Sequence, residues 1–546
     1  MIIFEYIKSG SIAENALNLI MNPPDIHQIL AQISENDRLL ANVDDELKLL
    51  QQRRLELTNS NAGLRSLLAP VRRLTFDVLS LVFRHHVHVC GGDPWILVHV
   101  SRTWRSAAFA DAAIWTSIHV ELDPVLPSVP PENRRIGGRE YCSNIRQLDL
   151  ALHRATTHLL DVKLRSPAAF PTVVRAHIVG MLHLISQRMD RWRFLEVEGS
   201  ISHLPGLNVH PPSNLEHLTL KTKDTPLLLK LIKQSSTNLK TLTSTELDIS
   251  NFLGAVWLPT LRSLDLTIPV DPRIPPQTEI LKDLLSSAVS LEELTLDFHR
   301  MQLQVGKLLS LSSIRKLQLY DLPQLLPFDC PNLTHLLVSV GKKRPILTTA
   351  PLPTPSKAIH LPSLRSLTFQ HPNLAAISAI VAPNLEELII SPQVKVIVPQ
   401  YNDNALRSIW NEEKRANGTM LSPQVLRLDA FNVSAEIVQY LLAYLDTLEK
   451  LVIKSVKTDH TVVLNTLAQC VSPRGRDVES TPPGPKMCPS LQTLIIDDTN
   501  TLRPADAKVM HAALLNVVSV RQQSGHPLMS VTCTWPQGSD MDDFKI

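Results

Sequence analysis

From Ile26 to Leu68, apolar side chains recur every seventh position in two interleaved series. Ile26, Ile33, Leu40 and Leu47 form one series, and Ile29, Val43, Leu50, Leu57 and Leu64 the other, with Asn36, Arg54 and Asn61 interrupting them. Alternating steps of three and four keep a narrow apolar seam on one side of a helix. The spacing predicts one continuous helix over 26–68, about 60 Å long at 1.5 Å per residue, with Pro70 stopping it. Two occupants fit the seam equally: a second copy in a coiled coil, or the next domain of the same chain.

Beyond about residue 141 the period changes. The phrase L-x-x-L-x-L recurs at Leu215, Leu218 and Leu220, at Leu261, Leu264 and Leu266, and at Leu291, Leu294 and Leu296. It continues at Ile314/Leu317/Leu319, Leu333/Leu336/Val338, Leu364/Leu367/Phe369, Leu385/Leu388/Ile390, Leu448/Leu451/Ile453 and Leu491/Leu494/Ile496. Weaker copies sit at Leu148/Leu150, Leu195/Val197, Leu239/Leu242 and Leu426/Leu428. Middle leucines 218, 242, 264, 294, 317 and 336 lie 19 to 30 residues apart, which brackets the period of leucine-rich repeats. Five copies share a proline lead-in (Pro259, Pro331, Pro362, Pro383 and Pro489); proline is tolerated just before a strand, where its missing N–H is not needed. Helix-like stretches at 226–235, 277–287 and 435–445 separate the phrases. The expected fold class is α/β, an N-terminal helical segment followed by an irregular leucine-rich-repeat solenoid with a curved parallel sheet. Polar or proline-rich stretches near 341–357, 402–422 and 472–486 read as loop insertions.

Strand alternation points the phrase leucines inward and sends the residues between them to the other face. Those positions are polar early on: His217, Thr219, Lys221, Ser263, Asp265, Thr267, Glu293, Thr295 and Asp297. Later the central position turns apolar, at Leu337, Ile389, Val452 and Ile495. An apolar stripe on a solvated face marks an interaction site, and these four are the candidate substrate-binding residues. A returning loop such as 472–486 is the other way to cover them.

Residues 67–120 read as a short helical bundle, with helices over 75–83, over 94–100 beginning at a proline, and over 102–108. Leu74, Val78, Leu79, Val82 and Phe83 make an apolar face, with Leu97, Val100, Trp104 and Trp115 in support. So small a unit cannot bury all its tryptophans alone, so a partner or the rest of the chain must cover part of that surface.

Composition removes several function classes. Lys+Arg at 54 against Asp+Glu at 52 leaves +2, which recommends neither nucleic acid nor an anionic membrane as a partner. Only 17 glycines occur in 546 residues, and there is no phosphate-cradling loop, nucleophile elbow or zincin helix. No catalytic residue and no cofactor is expected, so the chain reads as a non-enzyme. Cys90, Cys142, Cys330, Cys470, Cys488 and Cys533 are scattered without a CxxC pair, which fits a reducing compartment. With no long apolar run, a cytoplasmic or nuclear protein is expected. His85, His86, His88 and Cys90 crowd a helix end but diverge and lack a second ligand group, so no metal is expected.

A resemblance sharpens the helical segment. Pro70-Val71-Arg72-Arg73-Leu74, Val78-Leu79-Ser80-Leu81-Val82-Phe83, Val100-Ser101-Arg102-Thr103-Trp104-Arg105 and Ile114-Trp115-Thr116-Ser117-Ile118 resemble an F-box. The closest likeness is to F-box proteins of mushroom-forming fungi, which often carry a heptad helix before the box. The usual Leu-Pro-Pro-Glu opening is here Leu74-Thr75-Phe76-Asp77. The resemblance implies that Leu74, Val78, Leu79, Val82, Phe83, Leu97, Val100, Trp104 and Trp115 dock on a Skp-type adaptor, and through it on a cullin-RING ligase. It implies that the repeats hold an unknown substrate protein, making the chain a substrate-recruiting subunit of a ubiquitin ligase. The alternative is a repeat scaffold with a degenerate box and no role in ubiquitin transfer. On this reading the chain divides into a loose N-terminus (1–25), heptad helix (26–69), F-box (70–120), linker (121–140), solenoid (141–535) and tail (536–546).

Overall fold

The computed structural model describes residues 26–68, 74–121, 145–165, 175–199, 212–221, 238–245, 249–267, 278–297, 309–320, 328–339, 358–370, 374–391, 406–411, 420–429, 435–454, 460–469, 488–497, 504–523, 525–534 and 544–545, with single positions at 233, 414, 417 and 418. The expected N-terminal stretch 1–25, the linker past Glu121 and the insertions 341–357 and 472–486 lie outside the described residues. Contacts divide the chain into two compact units, one ending at Val82 and one beginning at Phe83. The division falls within a helix and at neither end of the expected F-box.

In the first unit, the heptads form one helix, α1 (Ile26–Leu68), of 43 residues. Side chains 27–65 are all exposed, and the ion pairs Arg38–Glu35 (2.7 Å) and Lys48–Asp45 (3.0 Å) close along it. Helix α2 (Phe76–Arg84) follows and runs across the division.

The second unit opens with α3 (Pro94–Val100) and α4 (Arg102–Ala110). Both begin where capping chemistry dictates: Asp93 accepts from the Trp95 amide at 2.9 Å and Ser101 from the Trp104 amide at 3.2 Å. A 3₁₀ turn at Ala112–Trp115 buries Ile114 and Trp115, and the Trp115 indole N–H donates to the Ala108 carbonyl at 2.7 Å. The chain then enters a sheet directly. Strands β1 (Ser117–Glu121), β2 (Leu160–Arg165), β3 (Trp192–Glu198), β4 (His217–Lys221), β5 (Thr241–Thr245), β6 (Ser263–Thr267), β7 (Glu293–Asp297) and β8 (Lys316–Tyr320) come first. They are followed by β9 (His335–Ser339), β10 (Ser366–Gln370), β11 (Glu387–Ile390), β12 (Val425–Asp429), β13 (Lys450–Lys454), β14 (Thr493–Asp497), β15 (Ser530–Thr534) and β16 (Phe544–Lys545). The order in space is the order in sequence, and only β16 runs antiparallel, pairing Phe544 with Cys533.

Register explains the leucine phrase. Leu218, Leu242, Leu264, Leu294, Leu317, Leu336, Leu367, Leu388, Leu426, Leu451 and Leu494 stand side by side in one row. All of them are buried, each contributing about 1.5–3 kcal/mol of apolar burial. A second ladder ties the turns before the strands. The side-chain amides of Asn214, Asn238, Asn332 and Asn384 donate to the carbonyls of Asp190, Ser213, Ser312 and Pro362. Thr260 and Thr447 do the same with hydroxyls, toward Leu239 and Ser422.

One expectation is corrected, and three stretches take definite places. The weak copy at Leu148/Leu150 is a helix, Ile145–Arg154, in which Leu148, Ala151 and Leu152 are buried at helical spacing. The first strand of the sheet starts at Ser117, where Ile118 and Val120 alternate inward beside Val162 and Leu164. Within 402–422, the described residues Leu406, Ile409 and Trp410 are buried and the Trp410 indole N–H donates to the Leu421 carbonyl, so these three side chains belong to the core. The tail contributes β16.

At the far end, helix Pro504–Gln523 carries Arg521, which is fully buried. Its guanidinium donates to the carbonyls of Cys488 (3.2 Å), Leu491 (3.0 Å) and His526 (3.2 Å). Cys488 sits at φ 43°, a strained setting for a residue with a Cβ, with its carbonyl held by that donation.

Candidate functional site

Helix α2 sorts its side chains by the 100° step. Leu79 and Phe83 lie on one side and are buried, while Val78, Leu81 and Val82 share another and are 41%, 64% and 44% exposed. Phe76 is exposed as well, and Leu74, just before the helix, is half-buried. In the second unit Leu97 and Trp115 are buried, Trp104 is half-buried and Val100 is exposed, as is Ile96. Phe83 meets Trp104 with ring centroids 5.0 Å apart, and Trp95 meets Trp115 at 4.9 Å. Of the nine expected adaptor-contact residues, Leu79, Phe83, Leu97 and Trp115 are buried, so the apolar surface they leave is carried by Val78, Val82 and Val100. Phe76, Leu81 and Ile96 are apolar surface that sequence reasoning missed, since a nine-residue helix apolar on most sides does not declare which side is covered.

Arg84 anchors the segment through Asp111, whose carboxylate it meets at 2.9 and 3.1 Å. Asp111 in turn caps the following turn by accepting from Ala113 N–H, and the pairing raises the Arg84 pKa above its ordinary value, chiefly through that hydrogen bond. The histidine run forms a π-helical turn, His85–Val89. His88 Nε2 lies 3.1 Å from the Ala113 carbonyl and Cys90 Sγ 3.6 Å from His85 Nδ1. Among the described residues no group of three or more His, Cys, Asp or Glu is placed to hold a metal ion. Cys330 is no nucleophile at neutral pH, because burial and the neighbouring Asp329 push its thiol up to about 12.

The exposed face of the sheet is the second candidate surface. Its central row reads Lys163, Glu196, Thr219, Thr243, Asp265, Thr295, Gln318, Leu337, Thr368, Ile389, Arg427, Val452, Ile495 and Thr532. The early strands carry a charged lattice: Glu196 between Lys221 (2.5 Å) and Lys163 (3.5 Å), and Arg193 on Asp161 (2.7 Å). Leu337, Ile389 and Ile495 are half-buried on this face. Val452, on the same row, is buried at 6% exposure. Register also breaks the expected stripe. Thr368 stands between Leu337 and Ile389, and Arg427, held on Asp429 at 2.8 Å, stands between Ile389 and Val452.

Sequence reasoning missed a third feature entirely. Along the edge where the strands begin runs an open groove of about 1290 Å³, lined by Arg262, Glu292, Arg315, Arg365, Glu386 and the turn residues Ser312, Asn332 and Asn384. The available signal was the residue after the first leucine of each phrase. No described helix is long and apolar enough to cross a membrane. No family model and no curated protein matches this sequence.

Proposed function

We propose that this chain recruits substrates to a Skp-cullin-F-box type ubiquitin ligase. On this reading the segment around α2–α4 is an F-box docking on a Skp-type adaptor. The sheet is an irregular leucine-rich-repeat solenoid that holds the substrate protein on its exposed face. The observation that carries the reading is the free apolar side of α2, Val78, Leu81 and Val82, in a segment whose sequence resembles an F-box. Interfaces are dominated by a few such anchors, each costing about 2 kcal/mol or more when removed. The in-register leucine row supports the repeat reading, because stacked units of one plan bury one continuous core. No catalytic group is assigned to the chain, which acts as an adaptor.

The test is capture of a purified Skp-type adaptor by the full chain. Val78→Asp with Val82→Asp is expected to lose adaptor binding by more than about tenfold, with circular dichroism unchanged. Full retention by the folded double variant overturns the assignment. Failure of the unaltered chain to bind would favour a scaffold with a degenerate box, the reading that Leu74-Thr75-Phe76-Asp77, without its two prolines, supports. Substrate capture is tested with Ile389→Lys and Ile495→Lys, which are expected to abolish it and leave adaptor binding intact.

A further inference from the structure

Helix α1 exposes the very residues that its heptads mark as a core. Ile29, Ile33, Leu40, Val43, Leu47 and Leu50 keep 37 to 66% of their surface. At 1.5 Å per residue, 43 residues present a seam about 65 Å long. A seam of period 3.5 accepts the knobs of another helix of the same period. The charges flanking it are arranged in a telling way. The ion pairs that α1 makes with itself, Arg38–Glu35 and Lys48–Asp45, lie on its outward side. Glu46 and Arg53, which flank the seam, enter no ion pair within the helix among the described residues.

We propose that α1 pairs with α1 of a second copy, antiparallel, with Leu47 of each chain facing Leu50 of the other. That one register disposes of the irregular positions together. Asn36 meets Asn61 of the second copy, so the buried amides satisfy each other. Leu40 meets Leu57 and Ile33 meets Leu64, while Glu46 lies beside Arg53 of the second copy. Two-fold symmetry makes every one of these contacts twice. Arg54 falls opposite Val43, where its aliphatic stem covers the valine and its head reaches water. A parallel pair in register would instead set Arg54 against Arg54 across a core layer and Glu46 against Gln51, with no opposite charges joined along either flank. Flanking charges are what set orientation in such pairs. The proposal stands apart from the ligase reading: a dimer carries two copies of the sheet face whatever that face binds.

Sedimentation equilibrium of the full chain at micromolar concentration is expected to give a dimer, and a monomer overturns the proposal. Leu40→Asp with Leu47→Asp is expected to give a monomer whose tryptophan fluorescence is unchanged. A charge swap decides the orientation. Glu46→Lys is expected to weaken the dimer about tenfold, since two attractions become two repulsions, and Arg53→Glu added to it restores the dimer. An undiminished dimer with Glu46→Lys overturns the antiparallel arrangement. Mixing an Ile33→Cys chain with a Leu64→Cys chain under oxidation is expected to join position 33 to position 64; joining 33 to 33 overturns it too.

Discussion

Leu40, Leu50 and Leu57 on α1 keep 60 to 66% of their surface exposed, while Leu218, Leu242 and Leu388 in the sheet keep none. Both sets recur at regular spacing in sequence. The difference lies in what the spacing builds. In the sheet each leucine finds the same residue of the preceding and following strand 24, 22 or 21 residues away in the same chain. Its burial is therefore complete within one molecule. On α1 the period of seven returns each leucine to the same side of a single helix, and no later residue of that helix can cover it. Regularity in one case makes a core, and in the other an exposed apolar seam.

The sharpest way to break this contrast is to delete side chains in both places and watch only the second unit. All seven tryptophans lie past residue 83, so fluorescence-monitored urea unfolding reports that unit alone. Phe369→Ala, at a fully buried position of β10, is expected to cost about 3–5 kcal/mol. Leu50→Ala on α1 is expected to stay within about 0.5 kcal/mol in the same measurement. A loss above about 2 kcal/mol from Leu50→Ala would mean that α1 holds the sheet together after all.

Arg521 tests whether the sheet's end depends on polar satisfaction as much as on leucine. Replacing it by Ala strips donors from the buried carbonyls of Cys488 and Leu491, which each cost about 1–3 kcal/mol when orphaned, and from the part-buried carbonyl of His526. Loss of about 2–4 kcal/mol is expected, with exchange protection lost first around β14 and β15. The cation also sits near the C-terminus of its helix, where the dipole favours it. Asn384→Ala removes one rung of the turn ladder, the 2.7 Å bond to Pro362, and is expected to cost about 1 kcal/mol. A neutral result would mean that backbone pairing alone sets the spacing of these strands.

What the sequence made legible follows the same division. Helix α1 and the inward leucines were readable because each repeats over many turns or strands. β1 was not, since Ile118 and Val120 are too few to establish a period and sit inside a stretch that resembles something else. Leu148 and Leu150 mislead because L-x-L satisfies a strand, while Ala151, which makes the pattern helical, is a weak apolar signal. On α2 the sequence shows that Leu79 and Val82 are apolar but not that only one of them is covered. The apolar row at Leu337, Ile389, Val452 and Ile495 was found without Thr368 and Arg427 because register, and not sequence spacing, puts those residues between them.

The smallest effect concerns the charged lattice at the early end of the exposed face. Glu196 is half-buried between Lys221 and Lys163. Burial by itself would raise its pKa, but hydrogen bonds and charge from Lys221, then Lys163, outweigh that and leave it lowered. A carboxylate with a depressed folded pKa adds stability above its unfolded value of 4.5, and that stability is lost as pH falls through the folded value. The unaltered protein is therefore expected to lose this contribution progressively as pH falls from about 4.5 through the lowered folded value. Glu196→Gln should remove it at neutral pH and flatten the acid limb of a stability-versus-pH curve. Exposed and half-exposed ion pairs contribute under about 1 kcal/mol, so the change at pH 7 is expected to be a few tenths, further reduced by salt. Unlike the leucine row, the lattice draws on flexible lysine side chains that keep much of their contact with water. Parallel pH curves for the two proteins would show that it contributes nothing to folding.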